Sequence, residues 1–97
     1  MSYTVEATYT KPANKKWFAE VHPGLARRFN KVDRARAVGL IDRQVNKVND
    51  NTIVVISTWN SEADYQAFIA RKGASVADAL RGDYSRNNGI TVTTRIV

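Results

Sequence analysis

The sequence predicts an α+β domain in which a four-stranded antiparallel sheet carries its helices on one face, with the elements in the order βαββαβ. Three observations predict it. Alternating, β-branched segments open and close the chain; two strand-like runs meet at Asn49-Asp50-Asn51; and amphipathic stretches of helical period separate these strands.

Residues 3–9 place Tyr3, Val5, Ala7 and Tyr9 on one face and Thr4, Glu6 and Thr8 on the other, the period of a half-buried strand that Lys11-Pro12 ends. Asn14 is the expected N-cap of the helical region that follows. There Trp17, Phe18, Val21, Leu25, Phe29 and Val32 recur every three or four residues among basic side chains. His22-Pro23-Gly24 interrupts this pattern, because proline lacks the amide donor and disfavours helical geometry in the residue before it, so a kink or two short helices are expected. Residues 38–48 form the second expected strand and residues 53–56 the heart of the third, joined as a hairpin by Asn49-Asp50-Asn51. Ser61, three residues before Asp64, begins a helix with Tyr65, Phe68, Ile69 and Lys72 along one face and Gly73 at its end. Ser75 and Asp78 repeat that spacing, predicting a short helix over 75–81 broken by Gly82 and Asn87-Asn88-Gly89. Residues 90–97 alternate and close the sheet.

A chain of 97 residues makes one domain, spanning 1–97, and buries only about two-thirds of its unfolded surface, so pairing with a second copy is favourable. No apolar run approaches the roughly 20 residues that cross a membrane. The N-terminal residues show no signal or lipidation motif, and a soluble, cytoplasmic protein is expected. The absence of cysteine excludes disulfides, thiolate metal sites and a cysteine nucleophile, and a single histidine cannot build a multi-histidine centre. No metal or other cofactor is therefore expected. The net charge of +6 is concentrated in the first half and favours anionic ligands or partners, although a solvated basic face is the simpler account than a dedicated nucleic-acid surface.

The order of elements, with Trp59-Asn60-Ser61-Glu62-Ala63-Asp64-Tyr65-Gln66-Ala67-Phe68 directly after the third strand, resembles the dimeric α/β-barrel superfamily of ferredoxin-like domains, especially the antibiotic-biosynthesis-monooxygenase-like ones. The resemblance covers nearly the whole chain in topology and about ten residues in motif. It implies a homodimer whose sheets meet face to face, with a ligand cavity between each sheet and its helices. It also implies one of several chemistries: cofactor-free oxidation of electron-rich aromatics, haem degradation or small-molecule isomerisation. Haem-degrading relatives carry a second tryptophan where Phe68 stands and a histidine further along the helical region. The stretch from Lys72 to Arg81 contains none.

His22 is the candidate catalytic residue, since an imidazole titrates near neutrality; its simpler role is a helix-end histidine. Trp17, Phe18, Trp59 and Tyr65 are the candidate lining of a pocket for a flat aromatic ligand, with core packing as the competing role. Tyr3 and Tyr9 offer hydroxyls to such a pocket. Arg43 and Lys47 share a strand face at spacing four and, with Arg95 on the closing strand, form a candidate anion site. The outer sheet face holds either apolar residues such as Val48, Val54, Ile56 and Val92, which would need a partner, or the alternates Thr4, Thr8, Gln44, Asn46, Thr58, Thr91 and Thr93.

Three functions compete. The first is a small homodimeric monooxygenase-like or small-molecule-binding protein, and the second a non-catalytic module of the same fold. The third, single-stranded RNA binding, suits the charge, but such domains stack bases on aromatics of the first and third strands, and the run from Ile53 to Ser57 has none.

Overall fold

A computed structural model describes residues 2–73 and 76–97. Its strands are β1 (Tyr3–Thr10), β2 (Leu40–Asn49), β3 (Thr52–Trp59) and β4 (Thr91–Ile96); its helices are α1 (Phe18–Val21), α2 (Pro23–Arg36), α3 (Glu62–Gly73) and α4 (Val76–Asn88). The sheet is antiparallel throughout, in the order β2-β3-β1-β4, which is the ferredoxin-like arrangement.

Each helix boundary has a local cause. Pro23 sits in the first turn of α2, where its missing donor costs nothing, so the interrupted pattern becomes two helices meeting at His22. The first of these starts at Phe18 rather than near Asn14, because Glu20 reaches back to accept the Trp17 N–H at 3.4 Å. Ser61 caps α3 as its spacing predicts, its Oγ accepting the Asp64 N–H at 3.2 Å. The expected cap at Ser75 lies outside the described residues.

Two expectations are corrected. The second strand begins at Leu40, not Val38: Gly39 has φ +89°, a left-handed conformation that ends the connection from α2. The last helix does not stop at Arg81 but runs through Gly82 to Asn88. Tyr84 anchors that extra length by donating to the Lys16 carbonyl at 2.6 Å, and Asn88 donates to the Tyr84 carbonyl at 2.8 Å.

The register sorts the side chains into two faces. Tyr3, Val5, Ala7 and Tyr9 pair with Trp59, Ser57, Val55 and Ile53, and beyond those with Leu40, Arg43, Val45 and Lys47. This face meets the helices: Tyr65 packs on Tyr3 and Trp59 with ring centroids 5.7 Å apart in each case, and Phe68 on Trp59 at 5.1 Å. The opposite face carries Thr4, Glu6, Thr8, Val54, Ile56, Thr58, Gln44, Asn46, Thr91, Thr93 and Arg95. Its Thr4 and Thr58 hydroxyls meet across the strands at 3.4 Å. The polar set therefore occupies the outer face, and Val92 turns toward the helices. On β2, an edge strand, Ile41 and Val48 are the extra residues at two register shifts.

The core is small. Among the described residues the buried hydrophobic side chains are Val5, Ala26 and Trp59. A buried lysine ties the far end of the sheet together. Lys11 Nζ donates to the Lys15 carbonyl at 2.7 Å and to Asn51 Oδ1 at 3.0 Å, while its own N–H bonds the Asn51 carbonyl at 2.9 Å.

Candidate functional site

The helix-facing side of the sheet has bulky rows at its ends and small ones between. Tyr3 and Trp59 occupy one end and Tyr9 and Ile53 the other, while the central strands carry Val5 and Ser57, then Ala7 and Val55, between them. Ala7, Val55, Ser57 and Tyr9 remain only half-buried, although they lie on central strands beneath the helical layer. Val45 and Val92, on the two edge strands, are both 53% exposed on this face. These residues form a half-buried strip on the helix-facing side of the sheet, around the buried Val5.

Two aromatic groups pack on the helix-facing side of the sheet. One is the Trp59, Tyr65, Phe68 and Tyr3 cluster already described. In the other, Phe18 packs edge-on to Tyr84 at 5.5 Å and stacks with Phe29 at 6.2 Å. The guanidinium of Arg81 lies 5.5 Å from the Phe29 ring centre and bonds Asp33 Oδ2 at 2.9 Å and Asp78 Oδ1 at 2.8 Å, joining α2 to α4. Charge and burial converge on Tyr9. Burial pushes its hydroxyl above the usual 10.0, while Arg43 and Arg81 pull it back and Tyr65 and Asp78 add to the rise. Tyr9 therefore stays protonated at neutral pH, with a proton available to donate.

The residues singled out from sequence do not form one pocket. Trp59 and Tyr65 sit at one end of the sheet. Trp17 lies at the other, donating from Nε1 to the Asp50 carbonyl at 3.1 Å with the Lys11 ammonium 5.7 Å from its ring centre. The six residues of β3 between these ends span about 20 Å. Phe18 belongs to the second aromatic group, and His22 is exposed at the hinge between α1 and α2 with its ring 5.2 Å from Phe18. The cationic trio is divided as well. Arg43 and Lys47 share the helix-facing side of β2, with Lys47 Nζ 3.5 Å from Asp50 Oδ1. Arg95 lies on the outer face at the other edge, where its Nε donates to Glu6 Oε1 at 3.0 Å.

Sequence reasoning passed over Arg81, whose signal was its spacing of three from Asp78 on one helix. The open sheet face carries no aromatic ring, because β1 turns both tyrosines toward the helices, so the base-stacking surface of an RNA-recognition sheet is missing. Among the described residues no three metal-ligating side chains cluster, and no helix is long and apolar enough to cross a membrane.

No protein-family model matches the sequence, and neither does any curated protein. Solved structures do match over almost the whole chain. SnoaB, a cofactor-independent oxygenase from Streptomyces nogalater, is 17% identical with a TM-score of 0.64, covering 99% of this chain and 90% of its own. A NIPSNAP family protein from Agrobacterium tumefaciens is 14% identical with a TM-score of 0.67, over 100% of this chain and 91% of that one. A candidate antibiotic biosynthesis monooxygenase from Nitrosomonas europaea is 11% identical with a TM-score of 0.67, over 99% and 88%. At these identities the likeness establishes the fold. The chain has a ferredoxin-like fold.

Proposed function

We propose that this chain is a cytoplasmic, homodimeric, monooxygenase-like protein that binds a small aromatic molecule between its sheet and its helices and acts on it without a protein-bound metal. The observation that carries the reading is the half-buried strip of Ala7, Val55 and Ser57 between two aromatic groups, which suits a flat apolar body. The likeness to a cofactor-independent oxygenase supports it at the level of fold.

In such chemistry an electron-rich aromatic, once deprotonated, gives up electrons to oxygen itself. The protein need only seat the ring, stabilise its anion and manage the proton. Arg43, beside Tyr9, favours the anionic form of a bound phenol, and the protonated Tyr9 hydroxyl donates to it. Tyr65, backed by the buried Trp59, supplies ring contact at one end and Phe18 at the other. We assign His22 the exchange of the released proton with solvent at the rim. Homodimerisation is supported by the small core, which leaves Val38, Ile41, Val45 and Val48 more than half exposed along one edge.

A second reading, binding without turnover, is favoured by one feature: the carboxylates of Asp33 and Asp78 are engaged by Arg81, and His22 stands outside the strip. Oxygen uptake with an electron-rich polycyclic phenol, in the presence of a chelator and without added flavin, separates the two. Uptake above the protein-free rate that falls in Tyr9→Phe establishes the oxygenase. Saturable binding without uptake establishes the binder, and no binding of any aromatic rejects the strip as a ligand site.

A further inference from the structure

The last turn of α2 and the first half of β2 border a half-open cavity of about 250 Å³, lined by Arg34, Ala37, Leu40, Ile41, Asp42 and Arg43. Two arginines from different elements thus line one small space. Neither makes a hydrogen bond or ion pair among the described residues, whereas Arg71, Arg81, Arg86 and Arg95 are each tied to an acceptor. The obvious local acceptors are already taken. The Arg34 carbonyl accepts the Ala37 N–H, the Arg36 carbonyl accepts the Val38 N–H and the Arg71 guanidinium, and the Ala37 carbonyl accepts the Leu40 N–H.

Asp42 also lines this space but forms no ion pair with either arginine among the described residues. The pleat directs it to the outer face opposite Thr58, where its Oδ2 accepts from Gln44 Nε2 at 3.3 Å. The remaining lining, Ala37, Leu40 and Ile41, is apolar. By volume the space is large enough for one ring, since about 150 Å³ holds benzene. Arg43 also flanks the half-buried strip, being on the helix-facing side of β2 in the row of Val5 and Ser57.

We infer that the ligand carries a carboxylate on its aromatic body and that Arg34 and Arg43 receive that carboxylate at the edge of the sheet. The inference rests on the functional reading above and adds to it the charge of the ligand and the residues that select it. Paired guanidinium groups match two carboxylate oxygens with directed, charge-assisted hydrogen bonds, which gives preference for an oxyanion over a neutral polar group of equal size.

The test is calorimetric titration of the full chain with 2-naphthoate and with its neutral counterpart, 2-naphthalenemethanol. Naphthoate is expected to bind about tenfold more tightly than the alcohol, and Arg34→Gln and Arg43→Gln each to remove about that factor for naphthoate alone. Arg95→Gln removes the same charge on the opposite face and is expected to leave both affinities unchanged. Equal weakening by Arg95→Gln and Arg34→Gln would assign the effect to the general positive field and overturn the inference. Inorganic phosphate binding more tightly than naphthoate would overturn the aromatic carboxylate. If the alcohol binds and neither cavity arginine matters, the aromatic site survives and the carboxylate site does not; if neither aromatic binds, both fall.

Discussion

Gly39 is fixed by two independent constraints. Its φ of +89° is poorly accessible to a residue with a side chain, and a Cβ there would collide with the Asp64 carboxyl, which belongs to the first turn of α3. Its carbonyl also accepts the Asn60 N–H at 2.8 Å, so the start of β2 and the end of β3 hang on one position. Gly39→Ala is expected to destabilise the chain by about 1–3 kcal/mol, read as a lower urea midpoint at unchanged slope. Tyr9 makes a different prediction. Its hydroxyl pKa is raised on folding, so between 10.0 and the higher folded value the native state holds the proton that the unfolded state has lost. Its contribution is complete below pH 10 and is lost as pH rises through the folded value. Denaturation at pH 9 and pH 11 should show a smaller loss of stability for Tyr9→Phe than for the parent chain.

Among the elements, the connection from β1 to α1 depends on a charge. Lys11 is 8% exposed, yet its ammonium finds the Lys15 carbonyl, Asn51 Oδ1 and the face of Trp17, so the β2–β3 turn and the entry to the helical layer are joined at one nitrogen. Lys11→Met keeps most of the stem and deletes that nitrogen, and a loss of about 2 kcal/mol is expected by chemical denaturation. Element identities were legible in the sequence because they follow from local rules: alternation in β1, turn chemistry at Asn49-Asp50-Asn51, the proline after His22 and the serine before α3. Boundaries set by tertiary contacts were not. The extension of α4 past Gly82 depends on Tyr84 reaching Lys16, 68 residues away.

For the whole molecule, the distribution of surface decides assembly. The outer sheet face is rich in threonine, with Val54 and Ile56 as an apolar strip, and the β2 edge exposes Val45 and Val48 at 53% and 62%. A homodimer is expected to sediment at twice the 10.9 kDa chain mass, and Ile56→Glu to shift it toward monomer if the sheets meet face to face. Sedimentation at the single-chain mass at tens of micromolar would remove the dimer from the proposal. The candidate site was less legible than the fold. Which arginines share a face depends on register, and register on β2 depends on the shifts at Ile41 and Val48, which no local pattern announces. Arg43 was identified but grouped with Arg95, which the pairing with Glu6 holds on the opposite side. Arg34, brought to Arg43 only by the return of the chain after α2, was not singled out.

The two tryptophans stand at opposite ends of β3, one buried against Ser57 and the other half-buried beside an ammonium ion. Two indoles in such different surroundings make the chain its own two-channel optical probe. Light emitted by Trp59 follows the packing of α3, and light emitted by Trp17 follows the Lys11 junction. Replacing either by phenylalanine leaves a single-colour reporter of one half of the molecule. Events in the two halves can thus be timed separately without attaching a dye.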